Sequence, residues 1–111
     1  MTKFELFCMI FYVLDSEWDE TKNEHLGSFL SAANPFLFED VGSADLTVYN
    51  EFCNVVDKSI TVQNSYKQAC SYIDSLHDQI ISSAFRSVNQ SEWMDCVKDY
   101  LSSPHRQGKG N

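Results

Sequence analysis

The chain has 111 residues, 43% hydrophobic and 14% aromatic, with four Gly, two Pro and a formal net charge of −8. That apolar content excludes an intrinsically disordered chain, and so few turn-formers argue against an all-β sandwich or barrel. The negative charge repels phosphate backbones and anionic lipid, so neither nucleic acid nor a membrane is an expected partner.

Thr2-Lys-Phe-Glu5 has the spacing of a capping box, a hydroxyl for the third helical amide and a carboxylate reaching back. A helix is expected from Phe4 to about Trp18, with Phe4, Phe7, Phe11 and Leu14 on one line and Leu6, Ile10 and Val13 on the next. A helix apolar on nearly every side has neighbours on every side, which predicts a central position. A buried strand over Leu6–Leu14 is the rival reading, and the lack of a second strand-like run decides for the helix. The same run behind Lys3 has the look of a leader peptide, but Asp15-Ser-Glu17 stands where a small-residue cleavage site belongs. It would reach across only about half of a bilayer core. A cytoplasmic protein is therefore expected.

Thr21-Lys-Asn-Glu24 repeats the capping-box spacing and opens a second helix, with Leu26, Phe29, Leu30 and Ala33 on one face and Pro35 ending it. Residues 34–44 have no period. Ser43 or Asp45 is the expected cap of a third helix, striped by Leu46, Tyr49, Phe52, Cys53 and Val56. Ser59 or Thr61 is the expected cap of a fourth. It runs unbroken over 61–87, because no Gly or Pro interrupts the stripe Val62, Tyr66, Ala69, Cys70, Ile73, Leu76, Ile80, Ala84 and Phe85. Asn89-Gln-Ser-Glu92 caps a fifth helix, with Trp93, Met94, Val97, Tyr100 and Leu101 inward. The prediction is all-α: a single-domain bundle of four to five helices over 1–102, with a nearly all-apolar N-terminal central helix and a flexible polar tail over 103–111.

Chemistry-bearing motifs are sparse. Cys8, Cys53, Cys70 and Cys96 contain no Cys-x-x-Cys pair and read as reduced, buried small hydrophobes. His25, His77 and His105 accompany no nucleophile or metalloprotease motif, so the protein is expected not to be an enzyme. Asp15-Ser-Glu17-Trp-Asp19 alternates oxygen donors as a calcium loop does, but Glu20 stands at the glycine turn and Leu26 at the bidentate acid. Glu20, Glu24 and His25 share one helical edge, a common arrangement on solvated faces. No metal and no cofactor is expected.

The charge imbalance is concentrated. Between Asp15 and Asp57 stand ten acids (Asp15, Glu17, Asp19, Glu20, Glu24, Glu39, Asp40, Asp45, Glu51, Asp57) and a single base, Lys22. Such a field steers positive partners. Trp18 among its acids, and Phe36 and Phe38 beside Glu39 and Asp40, add aromatic anchors. The expected interface is Glu17, Trp18, Asp19, Glu20, Phe36, Phe38, Glu39 and Asp40, docking a basic protein partner in the manner of an inhibitor, immunity protein, antitoxin or accessory subunit. The alternative is a self-associating structural module, a homodimer without ligand chemistry.

Overall fold

Thr2 Oγ1 accepts the Glu5 amide at 3.0 Å, and Glu5 Oε1 accepts the Thr2 amide at 2.9 Å. This box opens α1 (Lys3–Thr21) in a computed structural model that describes residues 1–34, 46–57 and 59–102. Leu6 to Ile10, Val13 and Leu14 are buried, while Tyr12, Asp15, Ser16, Asp19 and Glu20 are exposed. The helix expected to be apolar on nearly every side thus carries a solvated side over its second half. It also runs three residues past Trp18, to Thr21, and is closed by Lys22, whose backbone turns left-handed at φ 55° and donates to Trp18 O.

That turn rules out the second expected capping box. Thr21 is the last residue of α1, and its Oγ1 accepts the Asn23 amide at 3.3 Å. Asn23 caps α2 (Glu24–Ala33) instead, its Oδ1 accepting the Leu26 amide at 3.0 Å. Asparagine is the stronger N-cap of the two. α3 (Leu46–Val55) follows; its expected caps, Ser43 and Asp45, lie outside the described residues. Phe52 and Val56 are buried and Tyr49 and Cys53 half-buried. Lys3 Nζ donates to Cys53 O at 2.6 Å, a cation at the negative end of α3.

The single helix expected over 61–87 is two helices preceded by a turn. Thr61 and Asn64 bond each other's amides through their side chains, at 2.9 and 3.1 Å, and α4 begins only at Ser65 (Ser65–Ser75). It ends at Ser75 with Leu76 as its C-cap, and His77 just beyond is left-handed at φ 50°. Asp78 is extended and caps α5 (Gln79–Arg86), one carboxylate oxygen accepting the Ile80 and Ile81 amides at 3.1 Å each. The break resets the register: Ile81 and Phe85 turn inward, and Ile80, placed in the core by the continuous stripe, is 43% exposed. Asn89 and Glu92 form the expected reciprocal cap of α6 (Gln90–Ser102), at 2.9 and 3.2 Å. The described residues therefore hold six helices and no strand, where four to five helices were expected. The tail over 103–111 lies outside them.

α1 packs against each of the other five helices, α2 also against α3 and α5, and α4 against α3, α5 and α6. The Cα radius of gyration, 12.9 Å, matches the value of about 13 Å for a compact chain of this size. Rings carry much of the core. Phe52 meets Phe7 and Tyr72 edge-on, with centroids 5.0 and 4.9 Å apart, and Phe85 meets Trp93 at 5.6 Å. Each such side chain contributes about 1.5–3 kcal/mol on burial. No helix among the described residues is long and apolar enough to cross a membrane.

Candidate functional site

The corner between α1 and α2 is built by the Lys22 turn, which places Trp18 over Gly27. A Cβ on Gly27 would stand 2.8 Å from Trp18 Nε1, so only a glycine permits this approach. Trp18 is half-buried at the edge of the core. Its outer face is covered by Lys22, with Nζ 4.2 Å from the ring centroid and 3.1 Å from Asp19 Oδ1. The one base of the acidic block thus sits on the one tryptophan of that block.

Around the corner Asp15, Asp19, Glu20 and Glu24 are exposed and Glu17 is half-buried. Asp19 and Glu20 occupy the last turn of α1, which contains no base. The helix dipole places partial negative charge there and disfavours both carboxylates by a few tenths of a kcal/mol. The Lys22 pair offsets this at Asp19, and no ion pair among the described residues does so at Glu20. Glu24, in the first turn of α2, is favoured by its dipole.

Successive residues on a helix point about 100° apart, and this divides the expected interface. Trp18, with Phe11 and Asp15, lines a hollow of about 190 Å³ against Gly27 and Leu30 of α2. Glu17 faces away from it. With Thr21 it borders a hollow of about 490 Å³ against Leu26 and against Ile80 and Ala84 of α5. With Tyr12, Val13 and Ser16 it also borders a groove of about 270 Å³ against Cys96, Asp99 and Tyr100 of α6. Asp19 and Glu20 project from the exposed side. Phe36, Phe38, Glu39 and Asp40 lie outside the described residues.

The α1–α6 groove was not legible in the sequence, because its two walls are far apart along the chain. The local signals are the i,i+4 pairs Tyr12–Ser16, Val13–Glu17 and Cys96–Tyr100, none of which implies the others. Burial pushes the Tyr12 and Tyr100 hydroxyls above the ordinary tyrosine range. Burial, followed by the carboxylates of Asp95, Asp99 and Glu92, raises the Cys96 thiol. Cys96 is exposed, against the expectation of buried cysteines; Cys8 is buried, Cys53 and Cys70 half-buried, and none of the four is in a disulfide.

His25 does not join Glu20 and Glu24 in a metal set. It bonds Asp78 at the head of α5, tying α2 to α5 across the chain. Asp15, Glu17 and Asp19 lie within a continuous helix, so they do not converge as a calcium loop would require. Among the described residues no group of three His, Cys, Asp or Glu side chains is placed to hold a metal ion. Comparison of the chain with protein-family models, with curated proteins and with solved structures gives no match.

Proposed function

We propose that this is a small, non-enzymatic interaction protein that docks a basic protein partner through the acidic corner of α1 and α2, with Phe36, Phe38, Glu39 and Asp40 as further contacts. One observation carries the reading. Four exposed carboxylates and the half-buried Glu17 gather on the last two turns of α1 and the first of α2, two of them where the helix dipole opposes them. Charges kept at a local cost in stability fit a role outside folding. The mechanism is steered association followed by burial of an aromatic side chain. A reducing, cytoplasmic setting belongs to the same reading and accords with cysteines that form no disulfide.

The test is capture of partners from a lysate on the immobilised chain, then association rates at low and high salt. The expected partner is basic, and its association slows as salt screens the field over a Debye length of about 8–10 Å. Asp19→Asn with Glu20→Gln slows it further. A partner whose association ignores both overturns the proposal. A homodimer is the second reading, favoured by the outward Ile80 beside the α1–α2–α5 hollow. An apolar dimer would persist in high salt, and light scattering reads the difference.

A further inference from the structure

We infer that the groove between α1 and α6 seats one arginine or lysine side chain of the partner; this rests on the docking reading above and gives it a specific point of attachment. The groove holds about 270 Å³, below the roughly 300–1,000 Å³ of sites that take small-molecule ligands, and suits a single long side chain. Its floor is apolar: Met9, Val13 and Tyr100 are buried. Its mouth is not. Tyr12, 36% exposed, presents a ring whose centroid lies 5.8 Å from that of Tyr100, and Glu17 and Asp99 stand on opposite helices.

Arginine and lysine match this division, with an apolar stem under a charged head. The stem lies on the floor, and the head meets the carboxylates and the face of Tyr12. Other occupants fit worse. A purely apolar side chain would strip water from two carboxylates and leave them unpaired, and an anion would be repelled. Three acids have partners of their own, since Lys22 holds Asp19, His25 holds Asp78 and Arg86 holds Asp74. Asp15, Glu20 and Glu24 at the α1–α2 corner are in none of these pairs, but Glu20 and Glu24 border none of the three hollows and Asp15 only the smallest, of about 190 Å³. Among the described residues the carboxylates of Glu17 and Asp99 have no such partner. Asp95 and Glu92 add further negative charge beside Asp99 along the α6 wall, and after burial these three carboxylates raise the Cys96 thiol.

The experiment titrates the full chain with a tetra-arginine peptide, followed residue by residue by amide NMR, with the neutral tetra-citrulline peptide as control. Saturable shifts are expected at Tyr12, Ser16, Glu17, Cys96, Asp99 and Tyr100, and none with citrulline. Glu17→Gln with Asp99→Asn, two side chains outside the core, should leave the spectrum elsewhere intact and weaken binding about fivefold. Shifts confined to Asp15, Asp19, Glu20 and Glu24 and indifferent to the double variant overturn the groove and leave the docking surface standing. Groove shifts that follow protein concentration alone assign the groove to a second copy and overturn the inference. No saturable shift anywhere removes the inference and the docking reading together.

Discussion

Ser65 Oγ accepts the indole N–H of Trp93 at 2.8 Å and donates to Val62 O at 2.8 Å, with Ser65 and Trp93 both fully buried. It links the first turn of α4 to α6 through a hydroxyl that has no access to water. Ser65→Ala removes little volume but orphans a buried donor, so the expected loss is about 1–3 kcal/mol in urea unfolding. In a double-mutant cycle, Trp93→Phe should cost less on the Ser65→Ala background than alone, because the orphaned indole goes with it. Strict additivity would show that the bond carries no stability.

Asp78 connects two helices: it caps α5 through the Ile80 and Ile81 amides and bonds His25 at the start of α2. Burial raises its carboxyl, but the bonds from His25 and from both amides outweigh burial and hold it below the ordinary 3.8. A carboxyl with a depressed folded pKa contributes fully above its unfolded value and loses that contribution as pH falls through the folded one. The acid limb of a stability-versus-pH curve should therefore steepen below about pH 4. Asp78→Asn, still a good cap, should flatten that limb. Asp78→Ala should cost about 1–2 kcal/mol at neutral pH. An acid limb unchanged in Asp78→Asn would remove the carboxylate from this account.

Helix content was legible because it follows from period and local capping. The boxes at Thr2–Glu5 and Asn89–Glu92 form as read: no other cap residue stands beside Thr2, and Asn89 holds its place against Ser87 and Ser91 through the reciprocal bonds with Glu92. At Thr21–Glu24 a better cap, Asn23, stood two residues on, and the left-handed Lys22 moved the boundary to it. The break at His77–Asp78 was hidden because no Gly or Pro marks it. Its only signals are a histidine, which tolerates the left-handed region better than most residues, and an aspartate before Gln79. Missing it carried Ile80 into the core on paper. For the candidate site, the sign of the charge could be read from composition, but its division around α1 could not. Whether Glu17 and Trp18 share a surface depends on which helices flank α1, a tertiary fact.

Gly27 is where α2 yields to Trp18. Gly27→Ala gains about 1 kcal/mol of helix propensity, but its methyl displaces the Nε1 edge of the indole. Trp18 is half-buried at the margin of the core, so its ring gives way there at less cost than a fully buried ring would. Stability should hold or rise slightly while the Trp18 indole N–H resonance shifts and that of Trp93, buried elsewhere, does not. Movement of both resonances would point to a general core rearrangement, and movement of neither would refute the close approach.

Lys22 already makes, within the chain, the contact that a basic partner would make: an ammonium over Trp18 and against Asp19. Its removal separates two effects. Lys22→Gly relieves a left-handed backbone worth about 1 kcal/mol and gives up an exposed cation–π contact worth about 0.5–1 kcal/mol, so unfolding should change by less than about 0.5 kcal/mol. Binding should respond more strongly, because the face of Trp18 is uncovered and one competing charge is gone. Lys67→Gln, an exposed residue of α4, deletes the same charge away from the corner and serves as the control. Tetra-arginine should bind Lys22→Gly more tightly than Lys67→Gln, with the excess lost on Trp18→Leu. Equal gains from the two variants would mean that only net charge acts and that Trp18 anchors nothing.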